Sequence, residues 1–166
     1  MPVVMAREKD FLDVWFLLNR CTAEMNRQSM FHWNPSYPDA ETILSDIQEE
    51  SLYLYHVDGV CQGIIVLNQE QAREYKTIPW KNISGKILVV HRLAVHPLFQ
   101  QKGIGKLLME FAIEYARENE FDSMRLDVYR DHPAAGKMYR NLGFRETGSF
   151  HFPHQESPFD CYELKL

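Results

Sequence analysis

Gln100, Gly103 and Gly105 stand where an apolar run hands over to a helical pattern, and this placement suits the binding of an anion. The amides of a helix's first turn have no partner inside the helix, and glycines there remove the Cβ atoms that would hold a ligand off the backbone. The segment Gln100-Gln101-Lys102-Gly103-Ile104-Gly105 therefore carries the chemistry of a pyrophosphate cradle. Lys102 or Lys106 either offers it a charge or is simply solvated. Two better-known phosphate loops fail on their letters. A Walker loop requires glycine where Gln100 stands and Ser or Thr where Leu107 stands, and a dinucleotide fingerprint from Gly103 requires glycine at Leu108.

The elements around this turn follow from periodicity. Ile87 to Val95 is almost wholly apolar or β-branched, as in a central strand covered on both faces, and Pro97 ends it because proline has no amide for the ladder. Ile104, Leu107, Leu108, Phe111 and Tyr115 then recur at helical spacing, which predicts a helix from near Gly103 to about Asn119. By strand alternation His91 shares a face with Ile87, Val89, Leu93 and Val95, where a polar ring needs a reason. It is either a general base or a structural histidine with a hydrogen bond, and a bulge in the strand would reverse its face. His96, just before Pro97, reads as a surface residue.

A second stretch, Leu126 to Phe144, reads as a strand ending near Tyr129 and then a helix with Asp131 or His132 as cap and Pro133 in first position. Gly143 takes the left-handed position after the helix, and Phe144 folds back upon it.

The first stretch resembles the acyl-CoA loop of the GNAT superfamily of N-acetyltransferases: Gln or Arg, two residues, Gly, one residue, then Gly or Ala, here Gln100, Gly103 and Gly105. The second, with Tyr139 and Leu142-Gly143-Phe144, resembles that superfamily's second motif in order and distance. The resemblance implies one α/β domain over residues 1–166. Its sheet is mostly antiparallel with splayed middle strands, and helices cover both faces. It also implies acetyl-CoA as co-substrate and no metal. The strands holding Leu93 and Met124 would part at one end and admit the pantetheine arm. Main-chain groups of Leu93, Ala94 and Val95 would meet that arm, and the residues from Gln100 through Lys106 its diphosphate.

Tyr139 matches the tyrosine that points at the CoA sulfur, where a phenol can protonate the leaving thiolate; the bland alternative is a tyrosine packed in the core. His91 matches a histidine of arylalkylamine N-acetyltransferases that helps deprotonate the amine through water. Glu70, Glu74 and Tyr75 are weaker candidates for the base. His132 departs from the family pattern. Many members carry asparagine there to bond the CoA arm, and a histidine is longer and titrates near neutrality.

The remainder reads as scaffold and substrate wall. Val3 to Met5 predicts a short strand. Phe11 to about Arg27 predicts an amphipathic helix, interrupted by Asp13 and Arg20 and so neither a membrane span nor a signal. Phe31, Trp33 and Tyr37 lie in an aromatic, proline-rich connection that in the family borders the acceptor channel. They either line an amine pocket or cover the edge of the core. Asp39 caps a second helix to about Glu49, with Ile43, Leu44 and Ile47 inward; Asp39, Glu41 and Asp46 either suit a cationic amine near the pocket or are solvated. Asp58-Gly59 joins Leu52–Val57 to Val60–Leu67 as a hairpin. The span from there to Gly85 is a long tip or a lip over the substrate. Phe150–Phe152 and Phe159–Leu164 predict a last strand pair, apolar enough to join two copies.

With 166 residues, 45% of them hydrophobic, the chain can build one full core. A formal net charge of -5 without any basic run argues against nucleic acid as a partner. Cys21, Cys61 and Cys161 are odd in number and widely separated, which fits a reducing cytoplasm and no metal site. Two functions follow from different classes: direct acetyl transfer to an amine, or an acyl-CoA-binding module without turnover.

Overall fold

Asp39 and the Asp58-Gly59 pair show how local chemistry starts this fold. In the computed structural model, which describes residues 3–153 and 155–166, Asp39 Oδ1 accepts from the Thr42 amide at 2.8 Å and opens helix α2 (Ala40–Gln48). Asp58 and Gly59 both take positive φ, 50° and 79°, as a tight two-residue turn between β2 (Leu52–Val57) and β3 (Val60–Asn68) requires.

The chain contacts divide into two compact units, Met1–Leu67 with His91–Ala112 and Asn68–Val90 with Ile113–Leu166. Strand β4 (Ile87–Val95) and helix α3 (Ile104–Glu118) each give part of their length to both. In the first unit β1 (Val3–Met5) pairs antiparallel with β2, Val3 opposite Tyr55, and β2 with β3, Leu54 opposite Ile64. Helix α1 (Phe11–Arg27) places Val14, Leu17, Leu18 and Cys21 against Leu52, Leu54, Ile64 and Val66, joined by Ile43 and Ile47 of α2. Helix α3 lies against the opposite face, where Tyr53 meets Phe111 with ring centres 5.1 Å apart. Gly63 permits this approach, because a Cβ there would stand 2.9 Å from Leu108 Cδ1. Helices therefore cover both faces of this part of the sheet, as expected.

In the second unit β5 (Ser123–Tyr129) runs parallel to β4 over Ile87–Val89 and antiparallel to β7 (Phe159–Lys165). Strand β6 (Arg145–Phe150) pairs antiparallel with β7. The strand order is β1-β2-β3-β4-β5-β7-β6, with antiparallel pairs in the majority. Helix α4 (Pro133–Asn141) ends as its letters predict. Gly143 has φ 97°, its amide reaches Arg140 O at 3.0 Å, and the Phe144 amide reaches Tyr139 O at 3.0 Å.

Three expectations are corrected. The first strand of the last pair is Arg145–Phe150, not Phe150–Phe152; this strand is polar and half solvated, so it lacks an apolar signal. The long span joins β3 to β4, which are neighbours in the sheet, and is itself structured. It holds a 3-10 turn, Arg73–Thr77, with Tyr75, Ile78 and Trp80 buried. Glu163 accepts from the Lys81 amide at 2.9 Å, and Arg125 donates to Asn82 O at 2.9 Å. Asp46 is buried rather than solvated, and His96 is 7% exposed rather than a surface residue. No helix among the described residues is long and apolar enough to cross a membrane.

Candidate functional site

The turn after β4 is built from short-range bonds. His96 Nδ1 accepts from the Leu98 amide at 3.1 Å, which fastens the 3-10 turn Pro97–Phe99, and Gln100 Nε2 reaches back to Val95 O at 3.1 Å. Gln101 and Gly103 then both take positive φ, 63° and 83°. The Leu107 amide donates to Gly103 O at 3.0 Å at the start of α3, so the amides of Ile104, Gly105 and Lys106 precede that bond. Gln101, Lys102 and Gly103 are exposed, and nothing lies within 4 Å of where a Cβ on Gly103 would stand. No side chain crowds the glycine that precedes these amides, and an anion can sit on them with the helix dipole in its favour. Lys102 lies 5.4 Å from the Phe99 ring, and Lys106 is 3.7 Å from Glu110.

Upstream, Leu93 and Val95 are half-buried and Ala94 belongs to the apolar core. The Val95 carbonyl also accepts from Cys21 Sγ at 3.2 Å. His91 is half-buried and has an interaction partner. The residue after it, Arg92, has φ 39°, a left-handed conformation that breaks the alternation of β4. The face of His91 thus does not carry on to Leu93 and Val95.

In the second unit Tyr139 is 6% exposed, with its ring centre 6.0 Å from those of Phe144 and Tyr162. Burial, and then the nearby Asp127 and Tyr162, push its phenol well above the usual range, so it keeps its proton at neutral pH. Asp127 lies under the long span and accepts from Tyr75 Oη at 2.6 Å. That bond and burial take Tyr75 out of contention as an exposed base. His132 precedes α4, but its side chain makes no capping bond, and Asp131 instead accepts from Ser157 Oγ. The His132 Nδ1 is buried with no partner, and burial holds the imidazole below its ordinary value. At neutral pH it presents an unused polar atom without charge.

The aromatic connection is ordered by Asn26, whose Nδ2 donates to Met30 O and Trp33 O, both at 2.9 Å. Trp33 packs against the core, as the bland reading had it, whereas Phe31 and Tyr37 are exposed at 55% and 42%. Arg92, and its pairing with Asp46, escaped sequence reasoning. Arg92 Nε and Nη2 donate to Asp46 Oδ2 and Oδ1 at 2.8 and 2.6 Å, and Arg92 Nη1 donates to Tyr37 Oη at 3.0 Å. Their signal lay in the letters. Asp46 falls between Ile43 and Ile47 on the inner face of α2, and Arg92 interrupts an apolar strand; a buried charge requires a partner. The cysteines are free and buried, and burial pushes the Cys21 and Cys61 thiols up to about 12.

Comparison with known proteins agrees with this architecture. The acetyltransferase (GNAT) family model matches residues 18–144. N-alpha-acetyltransferase RimI of Mycobacterium tuberculosis is 32% identical over 76 residues, 46% of each chain. N-acetylaspartate synthetase of Danio rerio is 28% identical over 120 residues, 68% of this chain and 39% of that protein. The chain thus spans less than half the length of these relatives. The GNAT acetyltransferase of Streptococcus agalactiae superposes with TM-score 0.84 at 17% identity, covering 99% of this chain and 94% of that one. YncA of Salmonella typhimurium, solved with its cofactor acetyl-CoA, gives 0.73 at 18% identity, covering 99% and 92%.

Proposed function

The chain belongs to the acetyltransferase (GNAT) family, and on that premise we propose that it transfers an acetyl group directly from acetyl-CoA to a primary amine of a small molecule or peptide. The observation that carries this reading is the turn Gln100–Gly105, where first-turn amides of a helix lie beside a glycine with open space around its missing Cβ. A diphosphate fits there, with Lys102 near, and the main chain of Leu93 to Val95 takes the arm that leads to the thioester. The unpartnered His132 Nδ1 supports a role for this histidine as acceptor for an N–H of that arm, in place of the family's asparagine.

In the transfer, the amine nitrogen bonds to the thioester carbonyl carbon and the carbon–sulfur bond breaks. Tyr139 Oη gives its proton to the departing sulfur, and His91, acting through water, takes the proton released by the amine. Main-chain N–H groups of β4 meet the charge that gathers on the carbonyl oxygen. Direct transfer is supported by the thiols: Cys21 and Cys61, raised to about 12, are held protonated and make poor nucleophiles. The acceptor class is supported by the names of two relatives, an N-alpha-acetyltransferase and an N-acetylaspartate synthetase.

A second reading, an acyl-CoA-binding module without turnover, draws on the burial of Tyr139 against Phe144 and Tyr162. Calorimetric titration with acetyl-CoA, followed by measurement of free thiol released with a panel of amines and peptides, separates the two. Uptake with amine-dependent release is the expected result; uptake alone selects the module, and no uptake ends both readings. Tyr139→Phe is expected to lower turnover by about a hundredfold while acetyl-CoA affinity holds.

A further inference from the structure

Arg92 links three parts of the first unit. Its backbone bends β4 at φ 39°, its Nε and Nη2 grip the Asp46 carboxylate of α2, and its Nη1 holds the Tyr37 hydroxyl. The fork is nearly enclosed, with the Arg92 and Asp46 side chains 11% and 6% exposed. A guanidinium has five donors and no acceptor, so the Tyr37 oxygen can only accept from it, and the phenolic proton is left for another partner. The turn that carries Tyr37 is itself fixed. Asn34 and Tyr37 exchange two backbone bonds at 2.9 and 3.0 Å, and the Ser36 amide reaches Asn34 Oδ1 at 2.8 Å. Tyr37 is 42% exposed, so a side chain held on a rigid base also meets solvent.

We propose that Arg92 is the positioning residue of the acceptor wall: anchored by Asp46, it orients the Tyr37 hydroxyl so that its proton is donated to a carbonyl or carboxylate oxygen carried beside the acceptor's amine. The proposal rests on the reading above that the connection holding Tyr37 borders the acceptor. Its substance is selectivity. An amine with an oxygen acceptor one carbon away gains a bond that a plain alkylamine lacks, and a donor already pinned by a cation loses little freedom in making it. Aspartate alone could not do this, and a lysine at position 92 could not grip Asp46 with two parallel bonds while reaching Tyr37.

The test compares alaninamide with isopropylamine, which differ by a carboxamide in place of a methyl group. Thiol release from acetyl-CoA is followed for the native protein and for Tyr37→Phe. The preference of one amine over the other is compared between proteins, which cancels their different basicities. Tyr37→Phe is expected to reduce the preference for alaninamide about tenfold, through KM for the amine, without changing KM for acetyl-CoA. An unchanged preference overturns the donor role of Tyr37 while leaving acetyl transfer intact.

The clamp itself is read without turnover. Since breaking one partner of an enclosed ion pair can unfold a protein, the variant is Arg92→Met with Asp46→Leu, which replaces both charges by apolar side chains. Hydrogen exchange at the amides of Asn34, Ser36 and Tyr37 is expected to quicken at least tenfold in this variant while α2 stays protected. Unchanged exchange overturns the positioning role, whether or not any amine is acetylated.

Discussion

Two carboxylates, one in each unit, buried Asp46 and half-buried Asp127, have opposite arrangements. Asp46 faces a cation that holds it by two parallel bonds, whereas Asp127 faces a neutral phenol, Tyr75, by one bond of 2.6 Å. Burial pushes both carboxyl groups up, and at Asp46 the Arg92 guanidinium pulls back while at Asp127 only the Tyr75 hydrogen bond does. On the other side of the first pair, burial works against the Arg92 charge, but the bonds to Asp46 and Tyr37 prevail and raise it above its ordinary value. The lesson is that enclosure does not fix the worth of a carboxylate. Asp46 is needed as a charge, because a cation would otherwise be stranded, and Asp127 is needed only as an acceptor.

The comparison breaks most visibly at Asp46→Ala, which leaves Arg92 enclosed and unpaired. A loss of about 3–5 kcal/mol is expected in chemical denaturation at neutral pH, and the paired replacement Arg92→Met with Asp46→Leu should recover most of it. At Asp127 the shift has the same direction as at Asp46, but no cation there depends on the charge. Its folded pKa is raised, so the stability it lends is present at low pH and is lost as pH rises through that pKa. Asp127→Asn, which keeps an oxygen for Tyr75, should therefore leave Tm at pH 7.5 unchanged or higher; a fall like that at Asp46 would show that the charge matters after all.

Smaller effects sharpen the contrast. Gly103→Ala adds a methyl group that meets nothing but sits at φ +83°, so about 1 kcal/mol of stability should go while acetyl-CoA affinity, read by calorimetry, falls further. The smallest effect is at His96, whose pKa is lowered by burial and then by Arg20. A depressed folded value means that its contribution is complete above about 6.5 and is lost as pH falls through the folded pKa. His96→Asn keeps an acceptor for the Leu98 amide and should narrow the gap between Tm at pH 7.5 and at pH 5.5.

These contrasts also explain what could be read without coordinates. The glycine turn, the Asp39 cap, the Asp58-Gly59 hairpin and the Gly143 helix end were legible because each is settled within a few residues by backbone sterics and local hydrogen bonds. Strand β6 was not, because Arg145 to Ser149 is a half-solvated strand with a register shift between Glu146 and Gly148, and its neighbours Phe150 and Phe152 drew attention by packing on Phe159 instead. His96 looked like a surface residue beside a proline, yet Phe16, 80 positions earlier by number, comes within 6.4 Å of its ring. The tyrosine of the second motif could be found by its letters, but its enclosure by Phe144 and Tyr162 could not.

By itself, the sequence determined a family, a strand-turn-helix able to hold an anion, and the identity of most of its elements, since these depend on periodicity, on glycine and proline, and on short loops. Only the tertiary structure decided which charges are paired. Asp46 and Arg92 lie far apart in the chain, and the bend at Arg92 that brings them together is a left-handed conformation no letter announces, sustained by the very bonds it makes possible.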